Sequence, residues 1–294
     1  MKSTRINRRF GLHRLMIAPA LILFFLFFLF PMIQGMFFAF TNWDGFNDFQ
    51  FIGLKNFREF FTDERALVSV RNTVFFGFWG TILLNFLGFL YAILLDTQIK
   101  LKGLIRTIVY LPAIISPLIM GYIWFMILSS ENGALLGILK LMGAERFFHD
   151  WLAEPNQAVV VIIIIQVWQF VGGDMIIYLA GLQNIPLELE EASRIDGAGW
   201  AKILWFIKLP LLAPSIRINI VTNIIGSMSI FDSIMALTGG GPGYATESLS
   251  ITIFRMSGTN RAGYTSAVAM IMFIIILIPA ALSFKAMKKK EVTL

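Results

Sequence analysis

Apolar residues in this chain fall in long, nearly unbroken runs, not at the alternating or 3.6-residue spacing of half-buried elements. Six stretches qualify, about 15–40, 74–95, 106–128, 158–180, 210–236 and 265–285. Each approaches or exceeds the ~20 residues an α-helix needs to cross a hydrocarbon core. Backbone in lipid has to satisfy its own hydrogen bonds, so every run is predicted to be helical. Prolines at 19, 31, 112, 117, 214 and 279 lie within these runs and are expected to mark kinks whose freed backbone groups neighbouring helices re-satisfy. The expected fold class is an all-α polytopic membrane protein with six transmembrane helices. No repeat of 20–50 residues is evident.

Composition agrees. The 294 residues are 57% hydrophobic and 14% charged, with a mean hydropathy of +0.75. A soluble domain carries about a quarter charged residues. Cysteine is absent, which excludes disulfides, thiolate metal sites and cysteine nucleophiles. The first run follows Arg5, Arg8, Arg9 and Arg14 and ends in Phe37, Phe38 and Phe40. It is longer than the ~7–15-residue apolar core of a cleavable signal and ends in aromatics, not small residues, so it is expected to be an uncleaved anchor.

The net charge of +6 is explained by orientation in a bilayer, with no call for nucleic acid. Lysine and arginine are concentrated on the N-terminal segment, on 96–106 (Lys100, Lys102, Arg106), on 181–209 (Arg194, Lys202, Lys208) and on the tail (Lys285, Lys288, Lys289, Lys290). The opposite connections carry fewer. The positive-inside bias therefore predicts both termini in the cytoplasm. The expected organisation is a tail at 1–14, a six-span domain at 15–285 and a second tail at 286–294. The lysine tail reads as a topology anchor, with anionic-lipid binding as its other reading.

One connection on the predicted cytoplasmic side is longer and more polar than it needs to be. Residues 181–209 are predicted to form a helix, a break and a second helix. Asn184 is expected to cap the first helix, with Pro186 in its opening turn and Glu188, Glu190 and Glu191 at the positive end of its dipole. Gly197 and Gly199 supply a permissive turn, and Trp200, Ile203, Leu204, Phe206 and Ile207 recur at helical spacing. An amphipathic helix lying on the membrane would favour a basic polar face. This first piece is acidic, so a docking surface for a cytoplasmic protein is the better reading.

This loop resembles the EAA signature of binding-protein-dependent ABC permeases. It reads Glu191-Ala192-Ser193, three residues, Gly197, nine residues, Ile207-Lys208-Leu209-Pro210; the one departure is Ser193 for the second alanine. Three further stretches resemble carbohydrate permeases related to the maltose system: AGLQNIPLELEEASRIDGA (180–198), LTGGGPGYATESL (237–249) and YLPAIISP (110–117). The resemblance covers roughly residues 10–290. It implies a membrane subunit of a bacterial importer, paired with a second homologous permease and two ATPase subunits. An extracellular or periplasmic solute-binding protein would feed it a sugar-like solute. Glu191, Ala192, Ser193, Asp196, Gly197, Ala198, Ile207, Leu209 and Pro210 would then couple to the ATPase. No cofactor is expected on this chain, with ATP and Mg held by the partner ATPase.

Polar residues inside spans are expensive and mark candidate functions. Gln166 and Gln169 stand beside Trp168 and Phe170 in the fourth run; Asn219, Thr222, Asn223, Ser227 and Ser229 lie in the fifth. Asn223 and Ser227 are one turn apart and share a face. Amides and hydroxyls beside an aromatic ring are what a sugar needs, and a midplane site suits alternating access. The competing role is hydrogen bonding between packed helices. The resemblance brings Asn223, Ser227, Gln166, Gln169 and Phe170 to sugar-contacting places. At the YLP turn, Ala113 and Pro117 replace expected polar contacts and Ser116 is the nearest hydroxyl.

Asp174 and Arg217 are expected to form an ion pair that limits desolvation. Gly240, Gly241 and Pro242 are expected to form a gate or docking loop for the binding protein; without a following Lys-Ser/Thr they are no phosphate loop. No catalytic or metal-binding residues are expected, since His13 and His149 have no metal-ligand neighbour at i+4. The alternative function is a secondary transporter or channel for a small polar solute, which the loop at 181–209 opposes.

Overall fold

A computed structural model describes residues 17–97 and 100–288. The expected roles of Arg5, Arg8, Arg9, Arg14, Lys289 and Lys290 lie outside these residues. The helices are α1 (Ile17–Phe38), α2 (Lys55–Thr62), α3 (Glu64–Asp96), α4 (Lys102–Ile114), α5 (Pro117–Leu128), α6 (Ala134–Leu141) and α7 (Pro155–Gln183). They continue with α8 (Leu187–Ile195), α9 (Trp200–Ile203), α10 (Ala213–Met228), α11 (Asp232–Leu237), α12 (Leu249–Ser257) and α13 (Ala262–Lys288). Between α9 and α10 the chain runs through a π-turn, Leu204–Lys208, into Leu209–Leu211.

Residues fall into two compact units: one of 17–62 with 255–271, the other of 63–254 with 272–288 among the described residues. In the first unit, none of the most apolar window of α1 is buried. A helix that is apolar all round and covers nothing requires lipid or another apolar surface. Beyond it the chain turns at an isolated bridge between Thr41 and Phe51. The buried Asn56 secures that turn, its amide donating to the carbonyls of Ala39 (2.9 Å) and Thr41 (2.8 Å).

In the second unit α7 is the central helix, with 56% of its apolar window buried against 28% for α3. Phe76, Leu84, Ile162, Ile165, Val171, Ile234 and Ile251 form its larger apolar core. Ala92, Leu95, Met175, Tyr178, Leu182 and Leu212 form a second cluster. Glycines on α3 permit close helix approach. A Cβ on Gly80 would lie 2.5 Å from Ser227 Oγ, and one on Gly88 would lie 2.6 Å from Asp174 Cβ. Small residues at helix contacts are the membrane solution to packing where no hydrophobic force drives association.

Among the described residues, five helical segments are long and apolar enough to span a membrane. The third expected run, 106–128, is not one straight helix: α4 and α5 meet at 97°. Pro117 opens α5 without an N–H to continue α4, and Pro112 already lies inside α4. The fifth run, 210–236, is interrupted at 229–231 between α10 and α11. α3 begins ten residues before its apolar run because Asp63 caps it, accepting from the backbone N–H of Arg65 (2.9 Å) and Ala66 (3.3 Å).

Candidate functional site

The polar residues of α7 and α10 meet across a cavity of about 280 Å³, lined by Gln166, Phe170, Asp174, Asn219, Thr222, Asn223 and Ser227 with Leu84, Gly173, Ile177 and Gly226. Gln166 Nε2 donates to Ser227 Oγ at 3.2 Å. Asn223 Nδ2 donates to Asp174 Oδ1 at 2.8 Å, and Asn219 Nδ2 to the Asp174 backbone carbonyl at 3.2 Å. These residues therefore hold the helices together and also face open space. Asn223 and Ser227 share the cavity face that their four-residue spacing predicts.

Three expectations need correction. Gln169 does not line this cavity: its Nε2 donates to the Ile115 carbonyl at 3.0 Å, satisfying an acceptor freed where α4 breaks. Ser116 sits exposed at that break, outside the cavity lining. Asp174 and Arg217 form no ion pair. Asp174 takes the Asn223 amide, while the Arg217 guanidinium lies 4.8 Å over the Phe284 ring. Asp174 thus joins the cavity, a placement its sequence position did not reveal, because the separation along two helices says nothing about which faces meet.

The 181–209 connection folds as helix, turn and helix. Asn184 ends α7 and does not cap α8, whose N-cap is Pro186. The turn after α8 is a Schellman closure: Ala198 N–H donates to Ser193 O (2.9 Å) and Gly197 N–H to Arg194 O (3.0 Å). Gly197 takes the left-handed position this closure demands, φ +77°. Gly199 has an ordinary φ of −74° and needs no glycine. Ser193 Oγ is turned back onto Leu189 O at 2.6 Å. Glu191, Ala192, Asp196 and Gly197 are exposed, while Ser193, Ala198, Ile207, Leu209 and Pro210 are half-buried. Leu187 and Ile195, 70% and 87% exposed, add apolar area to the acidic face.

Under this helix lies a cleft of about 650 Å³ that includes Asp96, Glu190 and Lys208. Lys208 Nζ bridges Asp96 Oδ2 (2.8 Å) and Glu190 Oε1 (2.7 Å), tying α8 to the end of α3. Burial alone would push the Lys208 ammonium down, but its hydrogen bonds to Asp96 and Glu190, with their charges, outweigh this and raise its pKa above 10.5. The stability this cluster contributes is present below the ordinary lysine pKa and is lost only as pH rises through the raised value. Lys208→Met strands two carboxylates and is expected to cost about 2 kcal/mol. Thermal melts should show a lower Tm at pH near 7 and near 9 alike, with partial recovery in Lys208→Met/Asp96→Asn.

The 238–247 turn is tied from within. Thr246 Oγ1 donates to the Gly241 carbonyl (2.7 Å) and shares a hydrogen bond with Thr238 Oγ1 (2.7 Å). Gly239, Gly240 and Gly243 have positive φ, and Gly241–Pro242 is cis. The buried Glu247 holds Arg65 at 2.9 Å, and the Arg65 guanidinium covers the Tyr244 ring at 3.9 Å. Gly240 is buried and Gly241 and Pro242 half-buried, so Gly243 and Tyr244 are the exposed tip.

Spans that bury amides and a carboxylate around open space, where leucine would pack better, serve a protein that moves polar solute; the class is a multi-pass membrane transport subunit. A family model described as "Binding-protein-dependent transport system inner membrane component" matches residues 84–289, and the chain belongs to this family. It is 36% identical over 274 residues to the multiple sugar-binding transport system permease protein MsmF of Streptococcus mutans, covering 92% of this chain and 93% of the relative. It is 32% identical over 279 residues to the sn-glycerol-3-phosphate transport system permease protein UgpA of Agrobacterium fabrum, covering 94% of each. Its fold matches a bacterial ABC transporter involved in the import of the acidic polysaccharide alginate, with TM-score 0.82, 23% identity and coverage of 98% and 99% of the two chains. The chain is a permease subunit of an ATP-driven importer.

Proposed function

We propose that this chain forms one half of the translocation path for a sugar or oligosaccharide, alternating access about the cavity between α7 and α10. A second homologous permease completes the path. Two ATPase subunits hold ATP and Mg, and one of them receives the exposed acidic-apolar face of α8 and its closing turn through Glu191, Ala192, Ser193, Asp196, Gly197 and Ala198. Ile207, Leu209 and Pro210 join that surface to α10. The chain itself does no hydrolysis. Both termini lie in the cytoplasm of a bacterial inner membrane, and the 238–247 turn faces an external solute-binding protein.

The observation that carries this reading is the cavity itself, with Gln166, Asn223 and Ser227 beside the Phe170 ring. In-plane hydrogen bonds with an apolar face are the pattern a pyranose fits. Sugar-permease relatives support the solute class. The test is co-purification of the assembled complex and measurement of ATPase stimulation by a panel of sugars with the binding protein present. Stimulation by at least one sugar is expected. Failure of the chain to co-purify with an ATPase, or indifference to every sugar, would overturn the reading.

A further inference from the structure

The cavity between α7 and α10 has a chemical bias that its list of polar residues conceals. Asn219 and Asn223 each turn their amide nitrogen toward an oxygen of Asp174, one the backbone carbonyl and one the carboxylate. The backbone carbonyl and the carboxylate Oδ1 both accept here, and an amide oxygen cannot donate to them, so these amide orientations are determined. The donors are turned onto Asp174 and the acceptors are left over. Asn219 Oδ1 and Gln166 Oε1 are buried without a hydrogen-bond partner among the described residues, on side chains 0% and 4% exposed. Asp174 Oδ2 accepts no hydrogen bond among the described residues either. Among the described residues the lining includes no lysine, arginine or histidine.

Buried acceptors without partners carry a desolvation cost that a matching ligand removes. From this geometry we infer that the cavity selects solutes rich in hydrogen-bond donors and free of negative charge, a neutral or amine-bearing sugar, and that Asp174 excludes uronates and phosphosugars. A solute's hydroxyls and ammonium groups supply the donors that Asp174, Asn219 and Gln166 lack. A uronate or phosphate brings further acceptors and carries its charge into a lining that offers no cation to meet it among the described residues. The inference rests on the sugar reading above and divides this chain from relatives named for anionic cargo.

The test uses the assembled complex in detergent and four labelled trisaccharides: maltotriose, the glucosamine trimer, trigalacturonate and its methyl ester. Equilibrium binding is measured to wild type and Asp174→Asn. In wild type, trigalacturonate should bind roughly 100-fold more weakly than the better of the neutral and amine-bearing trimers, a cost of about 2.7 kcal/mol for the anion in this lining. The methyl ester should recover most of that loss, and Asp174→Asn should reduce the gap to below about tenfold. Comparing maltotriose with the glucosamine trimer decides between hydroxyl and ammonium donors. Trigalacturonate binding as well as the others, or a gap unchanged by both esterification and Asp174→Asn, would overturn the inference while leaving the sugar reading intact. If Asp174→Asn fails to assemble, the ester comparison in wild type decides alone. Binding of none of the four would overturn the sugar reading and the inference with it.

Discussion

Gly197→Val is expected to leave the chain inserted and assembled but to cut transport roughly tenfold or more while ATP hydrolysis persists. Gly197 sits at φ +77° with nothing among the described residues within 4 Å of the position its Cβ would take. The penalty is therefore conformational and not a clash. A left-handed position costs an ordinary residue about 1–2 kcal/mol, and a β-branched one is a genuine outlier there. The chain relieves that cost by abandoning the Ala198–Ser193 and Gly197–Arg194 bonds, which re-aims α8 against α9. Asparagine tolerates the left-handed region, so Gly197→Asn should retain most transport. Gly197→Asp keeps the turn as well but adds a carboxylate to the face that carries Glu191 and Asp196, and it should uncouple through the interface. Transport and ATPase rates measured together in proteoliposomes check all three; normal transport by Gly197→Val would end the coupling role of this turn.

Gly172→Val should prevent stable packing of the second unit. A Cβ at this position would lie 2.5 Å from the Val109 carbonyl oxygen and 2.6 Å from Tyr110 Cα, both backbone atoms of α4. Backbone cannot rotate aside as a side chain can, so α4 has to retreat, and the Gln169 bond to Ile115 that steadies the break goes with it. Overpacking of this kind costs about 1–3 kcal/mol, occasionally more. The neighbouring Gly173 has nothing among the described residues within 4 Å of its Cβ position. Gly173→Ala is therefore the control, expected to match or exceed wild type in melting temperature. The measurement is Tm and monodispersity of the detergent-solubilised complex; equal stability of Gly172→Val and Gly173→Ala would refute the close approach of α4 and α7.

Much of the frame is legible in the sequence alone. Long apolar runs locate helices because a span reports its solvent directly, and Asn223 and Ser227 share a face by helical periodicity alone. The helix–turn–helix of 181–209 was legible from its glycines and acidic first turn, although Asn184 proved to close α7 and not to open α8. The prolines at 112 and 117 marked a disturbance without giving its size. A kink and a 97° bend differ in what α7 offers to the freed carbonyl of Ile115, and Gln169 supplies that from outside the local sequence.

The chain's own order of residues determined that it spans a membrane, that its long connection presents an acidic helix with a glycine-closed end, and which polar side chains interrupt its apolar runs. Only the tertiary structure decided which of those side chains look at one another. Gln166, Asp174, Asn219 and Asn223 share a cavity, Gln169 mends a broken helix, and Arg217 leaves Asp174 for an aromatic ring. The reason is physical. In helices apolar on every side, periodicity hardly distinguishes the lipid-facing surface from the packed one, so the pairing of polar groups is settled by how closely the glycines of α3 and α7 let their neighbours approach.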